Sequence, residues 1–200
     1  GFKPSLGLLL SALRGVILGD LLMRCLYRTR PYEDVEGSAN EMYEKWNDAC
    51  ADFLTNKKSK WSYKKLCNAI VKDFDSLPLK EDLRKPRVGV VGEILVKYMP
   101  LANNNLVELL EKEGAEAVVP DLIDFLNYCI HNSEYKHRFL GFKYKSKLIA
   151  RLGVWAIEMV RKPAKVALKN SKRFEAPIHI SQVAKMAKPL LSIGNQYGEG

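Results

Sequence analysis

The stretch Arg87-Val-Gly-Val-Val-Gly-Glu93 decides the fold, together with the asparagine run Asn103–Asn105 and the segment Leu106-Val-Glu-Leu-Leu-Glu-Lys-Glu-Gly-Ala-Glu-Ala-Val-Val-Pro120. A continuous apolar run, Val88 to Val91, reads as a strand that leads into Gly92 and a polar loop. Leu106, Val107, Leu109 and Leu110 then follow helical spacing up to Gly114, and a second apolar run ends at Pro120. This is one β-α-β unit with a parallel strand pair, and such units place ligands beyond the carboxyl ends of their strands. The loop Gly92–Asn105 lies at that edge.

Its residues are the first site candidates. Gly92 frees the backbone at a sharp strand exit. The glycines do not make a phosphate loop, because the lysine and hydroxyl residue of a P-loop and the third glycine of a dinucleotide fingerprint are missing. Glu93 projects from the strand end, where a carboxylate can act as a base, orient a substrate or hydrogen-bond the loop backbone. One of Asn103, Asn104 and Asn105 is expected to cap the following helix, and the others can offer amide groups to a ligand at its positive end. A third candidate group, Arg28, Arg30 and Tyr32, follows the first helix; arginine can clasp a carboxylate or phosphate with paired hydrogen bonds. The bland alternative is local pairing with Glu33, Asp34 and Glu36. His131, His137 and His179 read as surface or loop residues.

Outward from this unit, Leu6–Leu26 follows helical spacing, with Arg14, Asp20 and Arg24 interrupting it short of the roughly 20 apolar residues of a membrane span. It reads as a buried amphipathic helix whose Gly7, Gly15 and Gly19 admit a close neighbour, and no membrane partner is expected. No signal-peptide cleavage pattern follows. Helices are expected from Ser38, with Glu41 completing a capping box, to Asn56, and from Ser62 to Phe74. Leu77-Pro78 and Lys85-Pro86 bracket a polar connector, so residues 1–80 read as a helical arm and 86–200 as the α/β part. Further helices are expected after Asp121, over 143–161 with Leu148, Ile149, Leu152, Trp155, Ala156 and Met159 inward, and over 181–193.

The 200 residues carry a net charge of +9. Residues 136–173 hold twelve Lys or Arg and the single acid Glu158, a balance of +11, which leaves −2 for the rest. Such a block attracts phosphorylated ligands, acidic partners or nucleic acid, or is a solvated helical face. Phe139, Phe142, Tyr144 and Trp155 lie among its charges as they would on a base-stacking platform, although Trp155 also fits a buried stripe. The four cysteines, Cys25, Cys50, Cys67 and Cys129, are widely spaced and signal neither a zinc site nor a disulfide framework, so a reducing, cytoplasmic compartment fits. The missing initiator methionine and the ending at Gly198-Glu199-Gly200 lead us to expect a piece of a longer polypeptide.

Arg30-Pro-Tyr-Glu33, Pro86-Arg-Val-Gly-Val-Val-Gly-Glu-Ile94, Pro100 through Asn105, Gly114-Ala-Glu-Ala-Val-Val-Pro120 and Asn195-Gln-Tyr-Gly-Glu-Gly200 together resemble the 2-hydroxyglutaryl-CoA dehydratase-like region of the large CoA-substrate-specific enzyme activases. The resemblance covers nearly the whole chain. It implies a helix-rich α/β fold with a small parallel sheet of flavodoxin-like type, a helical N-terminal arm, and 86–200 as a partial flavodoxin-like domain. In related systems an ATPase with an iron–sulfur cluster drives one electron into the dehydratase, which removes water from a 2-hydroxyacyl-CoA through a radical. The resemblance therefore implies ATP and an iron–sulfur cluster for the full-length protein. None of the four cysteines can be placed on the family's cluster ligands and the ATPase motifs are missing, so no cofactor or metal is expected within this chain. The implied partners are other domains of the same polypeptide and a CoA thioester, with Gly92, Glu93, Asn103–Asn105, Arg30 and Tyr32 as the ligand-binding candidates and no catalytic residue. The alternative is a basic interaction or nucleic-acid-binding module working through residues 136–173.

Overall fold

The computed structural model describes residues 5–190 apart from Lys57, Glu81 and Phe142. The last expected helix is therefore seen only in part, and Asn195–Gly200 lie outside the described residues. The chain is a helix-rich α/β protein with a two-stranded parallel sheet.

Helix α1 (Leu6–Thr29) starts at Ser5, whose hydroxyl accepts from Leu8 N at 3.2 Å. Ile17, Leu18, Leu21, Leu22, Cys25 and Leu26 recur every three to four residues and form the centre of the core. The burial begins at Ile17, whereas Leu6, Leu8, Leu9 and Leu10 are exposed, so the helix is amphipathic and buried only in its second half. By length and composition it is apolar enough to cross a membrane, a test that a core helix also passes. Of its three glycines, Gly15 makes the close approach, with Leu54 Cδ1 3.4 Å from where a Cβ would stand.

Arg30-Pro31 ends α1 in a 3-10 turn, and the next helix, α2 (Ser38–Thr55), is not capped by Ser38 and Glu41 as expected. Glu33 reaches forward instead: its carboxylate accepts from Gly37 N and Ala39 N, both at 2.8 Å, and from Ser38 Oγ. A charged acceptor there satisfies two amides at once and complements the helix dipole. α3 (Tyr63–Asp75) buries Leu66, Cys67, Ile70, Val71 and Phe74 against α1 and α2.

β1 (Arg87–Gly89) pairs in parallel with β2 (Glu116–Val118), with Arg87 opposite Glu116, Val88 opposite Ala117 and Gly89 opposite Val118. Between them lie α4 (Ile94–Tyr98), a 3-10 turn at Pro100–Ala102 and α5 (Leu106–Lys112), so the expected polar loop contains a helix of its own. Gly114 closes α5 in a left-handed conformation, φ 85°. β2 is buried against α1, while β1 is exposed along its length.

α6 (Leu122–Phe139), α7 (Tyr144–Lys169) and α8 (Ile180–Ala187) complete the described elements. Ile123 of α6 and Ala164, Ala167 and Leu168 of α7 join the same core as α1, α2 and α3. The proline-bracketed connector thus does not divide the hydrophobic core. Along α7 the expected inward stripe faces out: Leu148, Ile149, Leu152, Trp155 and Met159 are all at least half exposed, and Ala150, Val154 and Arg161 are buried in their place. Small side chains let α7 pack closely on α6, and the bulky residues stay exposed.

Candidate functional site

The rim at the carboxyl end of β1 is built by capping chemistry. Gly92 has φ 141°, a conformation that glycine adopts without penalty. The Glu93 carboxylate accepts from Leu95 N at 2.8 Å and Val96 N at 3.2 Å, so it serves as the N-cap of α4. Asn103 ties α4 to α5: its Nδ2 donates to Val96 O at 2.8 Å and its Oδ1 accepts from Leu106 N at 3.1 Å. Asn105 occupies the residue position before α5 without a side-chain cap, and it is Asn103 that performs the capping. Asn104 and Asn105 both have positive φ, 55° and 53°, which asparagine tolerates best after glycine. Their side chains are exposed, as is Glu93, so the rim is open to solvent.

Arg30 and Tyr32 lie elsewhere. The Tyr32 hydroxyl donates to Glu116 Oε2 at 2.7 Å, at the start of β2, and Arg30 pairs with Glu111 in the last turn of α5. Both belong to the strand-start end of the sheet, opposite the rim. Glu116 is buried and also takes Arg28 Nη1 at 2.6 Å and Arg87 Nε at 3.0 Å. The local pairing expected between these arginines and Glu33, Asp34 and Glu36 is replaced by these long-range pairs. Burial and the bond to Glu116 hold the Tyr32 hydroxyl protonated above its usual range.

Below the rim lies a buried ion network that the sequence reading missed. Asp20 of α1 caps α6, accepting from Leu122 N at 2.8 Å and Ile123 N at 2.9 Å. Asp121 bridges Arg24 and Arg161, and Arg161, 2% exposed, also pairs with Asp124 and Glu158. Lys165 completes the chain through Glu158. Burial raises the Asp20 carboxyl to about 7, and neighbouring Asp121 adds to the effect. Tyr98 of α4 donates to Pro120 O at 2.5 Å, joining the rim to the roof of this network, and its hydroxyl is likewise held up by burial and by the three aspartates. The signal was available: Asp20 and Arg24 stand four residues apart on one face of an otherwise apolar helix, a spacing that needs partners wherever that face is buried.

Three comparisons, with protein families, curated proteins and solved structures, find no match to this chain. The geometry has to speak for itself.

The cysteines stand on four different helices, with Cys25, Cys50 and Cys67 buried and Cys129 partly so. Burial pushes the Cys50 and Cys67 thiols up to about 12 and Cys25 further, which favours the thiol over the metal-binding thiolate. Among the described residues, no three His, Cys, Asp or Glu side chains are grouped to hold a metal. All three histidines are partly buried: His131 and His137 lie in α6 rather than on loops, whereas His179 ends the loop before α8 and caps that helix by accepting from Ser181 N at 3.2 Å.

Proposed function

We propose that this chain is a dehydratase-like domain of a CoA-substrate-specific enzyme activase, of flavodoxin-like type, which supports a CoA-thioester or domain-docking site completed by other parts of the polypeptide and is inactive alone. The observation that carries this reading is the exposed β1 edge. Two strands are few for a stable open sheet, yet among the described residues β1 has β2 as its one strand neighbour and is exposed along its length, and Val91, two residues beyond it, is 84% exposed. Strand N–H and C=O groups left on such an edge invite another strand. The rim residues Gly92, Glu93, Asn104 and Asn105 stand where the ligand crevice of a larger α/β sheet lies. Redox and ATP chemistry belongs to other domains of the parent protein in this reading.

Calorimetry with CoA and dephospho-CoA at two salt concentrations tests it. A preference for CoA supports a thioester site, and equal or absent binding of both leaves domain docking, which is then tested by adding the flanking domains in trans.

A second reading, a nucleic-acid-binding module, gains from the exposure of Tyr144 and Trp155. The objection that Trp155 belongs to a buried stripe falls away, and α7 carries both rings together with Lys145, Lys147 and Arg151, with Lys143 just before it. Binding of this kind weakens steeply with salt.

A further inference from the structure

Lys147, Ala150, Arg151, Val154, Trp155 and Glu158 recur at intervals of three and four along α7 and so share one face. That face walls a cavity of about 360 Å³, closed by His131 of α6 and by His179 and Ser181 at the start of α8. The volume falls among those of small-molecule sites, roughly 300–1,000 Å³. Its floor is apolar, from Ala150 and the buried Val154, and its side is the Trp155 indole, 62% exposed.

Two cationic side chains stand on the wall. Lys147 and Arg151 stand one helical turn apart, and Lys143 and Lys145 precede them. Among the described side chains of the wall the carboxylate is Glu158, which takes Lys165 Nζ at 2.7 Å and Asn127 Nδ2 at 3.1 Å, and lies near Arg161. His179 Nδ1 accepts from Ser181 N, which leaves the ring proton on Nε2 as a donor. An aromatic face beside two cations, over an apolar floor, matches a flat heteroaromatic base that carries phosphate. Stacking of a base on an aromatic side chain contributes about 1–3 kcal/mol, and a guanidinium can hold phosphate through paired hydrogen bonds.

We propose that the α6–α7–α8 cavity binds a nucleotide, with its base stacked on Trp155 and its phosphate held by Lys147 and Arg151. The choice of a 3′-phosphorylated adenine nucleotide rests on the CoA reading above, since CoA carries its phosphates on such a nucleotide; the cavity itself lies apart from the rim.

The test titrates adenosine 3′,5′-bisphosphate, AMP, CoA and inorganic phosphate into the full chain and into Trp155→Ala, Trp155→Phe and Lys147→Glu/Arg151→Glu variants, with circular dichroism to check folding. Substituting an exposed indole leaves the core intact. The protein's other two tryptophans, Trp46 and Trp61, pack edge to face at 5.2 Å between centroids on α2 and the loop before α3, so quenching by the nucleotide reports on Trp155 and disappears in Trp155→Phe. Trp155→Ala and the double charge reversal are each expected to weaken the bisphosphate at least tenfold. Unchanged affinity in both, no nucleotide binding to the wild type, or inorganic phosphate binding as tightly as the nucleotide overturns the proposal. CoA binding that survives both variants overturns this cavity but spares the CoA reading, whereas AMP binding as tightly as CoA through Trp155 supports the cavity and removes the CoA reading.

Discussion

The Arg30 guanidinium grips the Glu111 carboxylate as a fork, Nε to Oε2 at 2.7 Å and Nη2 to Oε1 at 3.1 Å, joining the end of the first helix to the helix of the β-α-β unit. Both side chains are mostly covered, and Arg30 Nη1 also donates to Asn40 Oδ1. A lysine carries the charge but cannot form the fork. Arg30→Lys is therefore expected to lose about 1–2 kcal/mol of stability in urea denaturation. Wild-type stability in that variant returns Arg30 to the list of ligand-binding candidates.

Glu116 is the acceptor for Arg28, Tyr32 and Arg87, and it is buried. Glu116→Gln removes the charge that balances two guanidinium groups and is expected to destabilise by about 2–4 kcal/mol. Tyr32→Phe removes one hydrogen bond from the same acceptor and is expected to cost about 1–2 kcal/mol. A double-mutant cycle between the two sites should show clear coupling; additive losses would mean that Tyr32 and Glu116 act separately.

The parallel strand pair and most of the helices were legible because they rest on local patterns: an apolar run, a glycine exit, a helical period and a glycine stop. The rim was legible in position but not in role, since Glu93 and Asn103 can be read as ligands or as caps until the amides they meet are known. The charge network was hidden for a different reason. Asp20 and Arg161 are separated by most of the chain, and nothing local distinguishes a buried charge from a solvated one. α7 misled the reading because its bulky and small residues both recur at helical spacing. Its small face was buried, a choice made by how closely α6 approaches.

Arg161 is almost fully buried and pairs with Asp121, Asp124 and Glu158. Those carboxylates raise its pKa against the opposing effect of burial. Arg161→Met fills similar volume but strands Asp121, 3% exposed, with Arg24 as its remaining partner. The expected loss is about 3–5 kcal/mol, read as a fall in the urea midpoint. A loss under about 1 kcal/mol would mean that the carboxylates take up protons at little cost.

Gly92 and Glu93 test the rim as a built turn. No atom lies within 4 Å of a Cβ placed on Gly92, so Gly92→Ala should cost backbone strain alone, about 1 kcal/mol. Glu93→Ala removes the cap on α4 and is expected to speed amide exchange at Leu95 and Val96, where the carboxylate accepts. Unchanged exchange at both amides would free the Glu93 carboxylate for a ligand.

Asp20 gives the structure a pH dependence whose sign follows from burial. Its carboxyl stands at about 7 in the folded protein against 3.8 for the ordinary group, raised by burial and by Asp121 and lowered by the Ile123 and Leu122 amides and by Arg161. Between these values the folded state binds more protons than the unfolded chain. The group's contribution to stability is therefore complete below the lower value and is lost as pH rises through about 7. Asn keeps an oxygen that can cap α6 but does not titrate, so the stability of the wild type relative to Asp20→Asn should fall steadily from about pH 4 to about pH 7 and then level. Urea denaturation of both proteins across that range measures it. A difference that stays flat means that Arg161 and the two capped amides hold Asp20 ionised throughout, and that the pH response of the fold comes from Asp121, whose carboxyl burial also raises.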